Sequence, residues 1–196
     1  NGNAPDPFTV ITAEAVAAGD WSPLYEADWS REYVRILEED AKKQLMIWPF
    51  HTLIGTPGHN LMPALYEAIA YHSAARQTNP NMVTKGTIPK SEYYSMLEPE
   101  VKVPGHPRGS IDESFMSELA TFDRIFVTGQ AKSHCVLETT ASIMRYFDAQ
   151  PEMLRKVHLI MDGTSAVQHP EIDFDALAEE QFAAFADKGL LIVNVG

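Results

Sequence analysis

The chain has 196 residues, 45% of them hydrophobic and 21% charged, with 27 acidic against 15 basic side chains and a formal net charge of −12 at pH 7. This is the composition of one soluble globular domain with a substantial core. A surface this negative repels phosphate backbones and anionic lipid, which argues against nucleic-acid and membrane roles. No apolar run approaches a membrane span, and the opening stretch Asn-Gly-Asn-Ala-Pro-Asp-Pro has no signal-peptide character. The single cysteine, Cys135, excludes an internal disulfide and fits a reducing cytoplasm.

Strand-like and helix-like segments alternate along the chain. Phe8–Thr12 reads as a short strand or an extended arm. Ser30 is placed to cap a helix running to about Lys43, with Tyr33, Val34, Leu37 and Ala41 on one face. Leu45–Trp48 is a compact apolar strand stopped by Pro49. After the Gly- and Pro-rich loop Phe50–Asn60, a helix is predicted from Leu61 to Arg76, with Pro63 in its first turn. Met82–Thr84 reads as a short strand, Glu92–Leu97 as a short helical stretch and Pro99–Gly109 as a loop. Ser110 opens a helix to Ala120, with Asp112 and Glu113 in its first turn. The strand Ile125–Val127 leads to Gly129 and a helix from about Ser133. Val157–Met161 is a further strand, Asp173–Asp187 a helix and Leu190–Val193 a last strand.

This alternation predicts a three-layer, doubly wound, mostly parallel α/β sheet with helices on both faces. In such sheets chemistry collects beyond the carboxyl ends of the strands. His51, Lys85 and Cys135 each follow a predicted strand at that edge. The reading places Cys135 in a first helical turn, where unpaired N–H groups and the helix dipole favour a thiolate. Its plain alternative is a small buried hydrophobe. Lys85 is otherwise a surface lysine, and His51 a structural or solvent-facing histidine.

Three segments carry a more specific signal. They are Trp48-Pro-Phe-His51-Thr-Leu-Ile-Gly55-Thr-Pro-Gly58, then Thr84-Lys85-Gly86 followed by Tyr93-Tyr-Ser95, and Gly129-Gln-Ala-Lys-Ser-His-Cys135-Val136. Together they resemble the isochorismatase-like cysteine hydrolases, and within them the nicotinamidase branch, over roughly residues 45 to 165. The chain departs from the branch at Thr52, where a cysteine often stands, and at Lys132-Ser133, where Thr-Asp is common.

The resemblance implies an Asp-Lys-Cys triad acting on an amide. Cys135 would be the nucleophile, and the positive charge of Lys85 would lower the cysteine pKa and hold the acid-base partner in place. Backbone N–H groups of Ala131 and Cys135 would hold the oxyanion, and a cis peptide would map to Gln130–Ala131. Trp48, Phe50 and Tyr93 would wall a substrate pocket for a flat ring, although aromatics beside strands are more often core. His51 would be one ligand of a divalent metal, commonly zinc, and no organic cofactor is implied. The other six histidines, His59, His72, His106, His134, His158 and His169, have no metal-ligand spacing with it. His134 reads as a packing or helix-start residue, and Asp162-Gly163 as a turn beside the pocket.

The family places its aspartate and two further metal ligands ahead of the Trp-Pro segment. Neither Asp6 nor Asp20 is followed by the required histidine, so neither takes the role. The expectation is a single domain over residues 1–196 without the family's N-terminal strand and helix, completed by a preceding segment or a second chain. The expected partner is a small-molecule amide, and homo-oligomers are compatible with the family. The function expected is acyl-enzyme hydrolysis of a C–N amide bond. The alternatives are a catalytically silent binding or assembly module and a hydrolase of carbamoyl or other small-molecule bonds.

Overall fold

The computed structural model describes residues 4–41 and 43–196; the residues Asn1–Asn3 of the opening stretch, and Lys42 near the predicted end of the first long helix, lie outside that description. The chain divides into two compact units, Asn1–Val83 and Thr84–Gly196. Among the described residues no helix is long and apolar enough to cross a membrane.

In the first unit, β1 (Val10–Ile11) pairs antiparallel with β2 (Leu45–Met46) in the register Val10 to Met46 and Ile11 to Leu45. Between them lie α1 (Ala13–Ala18) and α2 (Ala27–Glu39). The sequence reading missed α1, whose Thr12 hydroxyl caps the Ala15 N–H at 3.1 Å. Helix α2 buries Tyr33, Val34 and Leu37 as the spacing predicts. It starts before Ser30, however: Glu26 occupies the cap position, and the Ser30 hydroxyl bonds the Tyr25 carbonyl from inside the first turn. Glu38 ties the pair together by accepting the Ala13 N–H at 3.0 Å. A 3-10 turn at Pro57–His59 precedes α3 (Pro63–Arg76), which starts at Pro63 itself, two residues after the expected Leu61.

The second unit holds the parallel sheet, in the order β3 (Ile125–Gln130), β4 (Val157–Ser165), β5 (Leu191–Val193). Its helices are α4 (Glu113–Ala120), α5 (Leu137–Tyr146), α6 (Pro151–Leu154) and α7 (Phe174–Lys188). Ile125 aligns with Val157 and Leu159 with Ile192. Alternation along the strands sends Ile125, Val157 and Leu159 into one core with Met116, Ile143, Leu154 and Phe182 from the helices. Phe126, on the opposite face, is 55% exposed. The α/β class expected from the alternation is what the chain adopts.

Three local expectations are corrected. Met82–Thr84 has no regular secondary structure and no strand pairing among the described residues. Glu92–Leu97 forms bends instead of a helix, because the Ser91 and Ser95 hydroxyls take the N–H groups of Val101 and Leu97. Helix α4 is capped by Asp112, whose carboxylate accepts the Phe115 N–H, and not by Ser110.

Candidate active site

The strand β3 ends in an irregularity that shapes everything after it. Its register against β4 shifts between Val127 and Gly129, and Gly129 takes φ +118°, a conformation that favours glycine. Across the shift the Thr128 hydroxyl donates to the Gly163 carbonyl at 2.7 Å. A Cβ on Gly163 would lie 2.5 Å from that hydroxyl oxygen, so glycine is needed for the approach. Asp162-Gly163 therefore continues β4 in place of the expected turn, and the Asp162 carboxylate accepts N–H groups of Val195 and Gly196.

The chain then passes through the Gln130–Ala131 bond, which is cis. Lys132–Val136 forms a single π-helical turn that runs into α5. Cys135 thus sits in a π turn and not in the first turn of an α-helix. Such wide turns are frequent at functional sites. The Ala131 carbonyl accepts the N–H groups of His134 at 3.0 Å and Val136 at 3.1 Å, which closes the turn on itself.

Lys85 reaches this turn from the start of the second unit. Its ammonium donates to Cys135 Sγ at 3.1 Å and to the Tyr93 carbonyl at 2.8 Å. Arg108 braces the same corner: one guanidinium nitrogen donates to the Thr84 carbonyl at 2.6 Å, and the group lies 5.8 Å over the Tyr93 ring. Burial pushes the Tyr93 hydroxyl above its ordinary pKa, with Arg108 opposing. The thiol is partly accessible. Together with Lys85 it lines a groove of about 360 Å³ whose walls include Met96, Phe115, Phe126 and Thr128. A thiol beside an ammonium in the lining of an apolar groove has the parts for nucleophilic attack on an uncharged ligand.

The other residues singled out in the sequence have the following surroundings. Tyr93 is 7% exposed and serves the site through its backbone carbonyl, with its ring under Arg108. Trp48, Phe50 and His51 belong to the first unit. There Trp48 meets Phe8 edge-on at 6.0 Å, Phe50 is 94% exposed, and His51 Nδ1 lies 2.7 Å from the Pro49 carbonyl. Among the described residues no group of three or more His, Cys, Asp or Glu is arranged to hold a metal ion. His51 offers one remaining ring nitrogen, and one nitrogen does not make a site. His134 is a packing residue, between the rings of Tyr94 at 5.9 Å and Phe174 at 5.1 Å. The groove walls Met96, Phe115 and Phe126 escaped the sequence reading because they are spread over three segments and read individually as core.

No family model and no curated protein matches the sequence. Solved structures do. The yeast nicotinamidase Pnc1p aligns over 78% of this chain at 20% identity, with a TM-score of 0.52. Its complex with the inhibitor nicotinaldehyde also covers 78% of this chain, at 18% identity and a TM-score of 0.52. A nicotinamidase and pyrazinamidase of Acinetobacter baumanii aligns over 99% of this chain and 68% of its own, at 14% identity and a TM-score of 0.49. The chain spans 60% of the length of the yeast enzyme. At these identities the comparison speaks to architecture: the chain has the α/β fold of the yeast nicotinamidase.

Proposed function

We propose that this chain is a cysteine hydrolase that cleaves the C–N amide bond of a small uncharged molecule, of the nicotinamide type, through an acyl-enzyme on Cys135. The observation that carries the reading is the 3.1 Å contact between the Lys85 ammonium and Cys135 Sγ in the lining of an apolar groove. The ammonium favours the thiolate by direct attraction. The thiolate attacks the carbonyl carbon, an S–C bond forms, and the carbonyl electrons move to oxygen. N–H groups of Ala131 and Cys135 receive that oxyanion. As it collapses, the C–N bond breaks and Lys85 gives its proton to the departing nitrogen. Water then attacks the thioester with neutral Lys85 as base, which releases the acid and restores the ammonium–thiolate pair.

The apolar walls Met96, Phe115 and Phe126 suit a planar ring better than a compact carbamoyl group. The resemblance adds an aspartate to the pair. The residues that meet Lys85 through hydrogen bonds here are Tyr93 and Cys135. The described residues do not by themselves fit a metal site, so no step is routed through one. A reducing cytoplasm is the setting in which Cys135 stays a free thiol.

The test is ammonia release from nicotinamide and from carbamoyl compounds, run beside binding of nicotinaldehyde, the inhibitor named for the yeast enzyme. Wild-type chain should release ammonia from nicotinamide and Cys135→Ala should not. Turnover retained in Cys135→Ala removes the nucleophile assignment. Release from carbamoyl compounds alone moves the substrate class. An inert wild type that also takes up no aldehyde favours a silent binding module.

A further inference from the structure

Between Arg124 and Glu138 the only charged residue is Lys132, which follows Ala131 of the cis bond and stands three positions before Cys135. Its side chain is 6% exposed. The ammonium meets Asp175 Oδ1 at 2.5 Å and Glu179 Oε1 at 3.1 Å. These carboxylates stand four residues apart on α7 and so share one face of that helix. Burial works against the ammonium, but the hydrogen bonds to Asp175 and Glu179 prevail and hold its pKa above the ordinary value.

A buried ammonium is costly, and apolar residues commonly replace such pairs without loss of stability. The reason for a lysine here lies in what the pair fixes. Each residue between Ala131 and Cys135 is tied to a neighbouring segment, two of them to α7. Lys132 is held by α7, the Ser133 hydroxyl accepts the Val167 N–H at 3.1 Å, and the His134 ring packs between Tyr94 and Phe174. Of these three ties the Lys132 pair is the one adjoining Ala131.

We infer that Lys132 is a positioning residue, which locks the π turn to α7 and so aims the N–H groups of Ala131 and Cys135 at the developing oxyanion. The inference rests on the proposed acyl transfer at Cys135. It predicts separate effects on two reactions of the same thiol. Addition of Sγ to the carbonyl carbon of nicotinaldehyde opens the C=O bond and places charge on oxygen, which then takes a proton to give a thiohemiacetal. Displacement of iodide from iodoacetamide by Sγ creates no oxyanion.

The experiment measures aldehyde dissociation constants and iodoacetamide rates against pH for wild type, Lys132→Met and Lys132→Arg. Lys132→Met should weaken aldehyde binding by about tenfold or more, short of the ~10²–10³ in rate typical when an oxyanion donor is removed outright. Its alkylation profile should match wild type, and Lys132→Arg should regain most of the binding. The paired change Asp175→Asn with Glu179→Gln, at half-exposed positions, should reproduce the loss and decides the matter if Lys132→Met does not fold. Equal aldehyde binding in wild type and the variants overturns this inference alone. So does an alkylation profile displaced in step with the binding loss, since that marks an electrostatic effect on the thiol. A wild type that takes up no aldehyde overturns the acyl-transfer reading and this inference with it.

Discussion

Lys85 and Cys135 lie 50 positions apart in sequence, yet the ammonium of one donates to the sulfur of the other across 3.1 Å. The second bond of that ammonium, to the Tyr93 carbonyl, leaves it little freedom to turn away. The pair therefore acts as a fixed unit, with Arg108 bracing Thr84 behind it.

Removing the ammonium should slow the chemistry. Lys85→Ala should lower amide turnover by about 10²-fold or more, since it takes away the proton donor for the departing nitrogen. Turnover equal to wild type would remove Lys85 from the mechanism.

The groove wall gives a prediction about binding without chemistry. Phe126 is 55% exposed and borders the same groove as Cys135. Phe126→Ser removes apolar surface from the ligand's path, so KM for an aromatic amide should rise by about tenfold, the equivalent of ~50 Å² of lost burial at ~25 cal/mol per Å². The value of kcat should stay nearly constant. Steady-state kinetics that show a fall in kcat with KM unchanged would place the substrate elsewhere.

Alkaline stability should carry the signature of two groups. Lys132 and Tyr93 are both raised above their ordinary values of 10.5 and 10.0. For Lys132 burial opposes the shift and its two carboxylates outweigh it; for Tyr93 burial is the cause. A raised group contributes fully below its unfolded pKa, and the contribution is lost as pH rises through the folded pKa. Tm should therefore hold to about pH 10 and fall beyond it, with a shallower fall in Lys132→Met and in Tyr93→Phe. Equal alkaline slopes in all three proteins would contradict this assignment.

The core of the second unit should be sensitive to single truncations. Phe182 is fully buried where α7 meets the sheet core. Phe182→Ala should cost about 3–5 kcal/mol, from lost burial and the cavity left behind. Chemical denaturation monitored by circular dichroism would measure it. Because α7 also carries Asp175 and Glu179, aldehyde binding should weaken in this variant as well.

Much of this was legible in the residues themselves. The β-branched run Ile125–Val127 and the helical spacing after Cys135 gave the strand and the following helix, although the strand continues through Gly129 to Gln130. Cys135 was found because the strand before it declares itself in Ile125–Val127, whereas Lys85 was singled out as following a Met82–Thr84 strand that does not form. Helix starts were harder: Ser30 and Ser110 both lie close to a start, but Glu26 stands at one cap position without a side-chain cap bond and the Asp112 carboxylate caps the other. Glu92–Leu97 has helical composition, but the serine hydroxyls capture its neighbours' N–H groups, an outcome that depends on where Val101 and Leu97 come to rest.

Local pattern, then, determined the alternation of strand and helix and the identity of the candidate nucleophile, because periodicity and turn chemistry act between near neighbours. Contacts between distant segments decided the rest. The 3.1 Å reach from Lys85 to Cys135, the groove drawn from Met96, Phe115 and Phe126, and the capture of Lys132 by Asp175 and Glu179 exist only once β3, α4, α5 and α7 are packed together. A buried charge finds its partner through that packing, and no spacing along the chain announces which carboxylate it will meet.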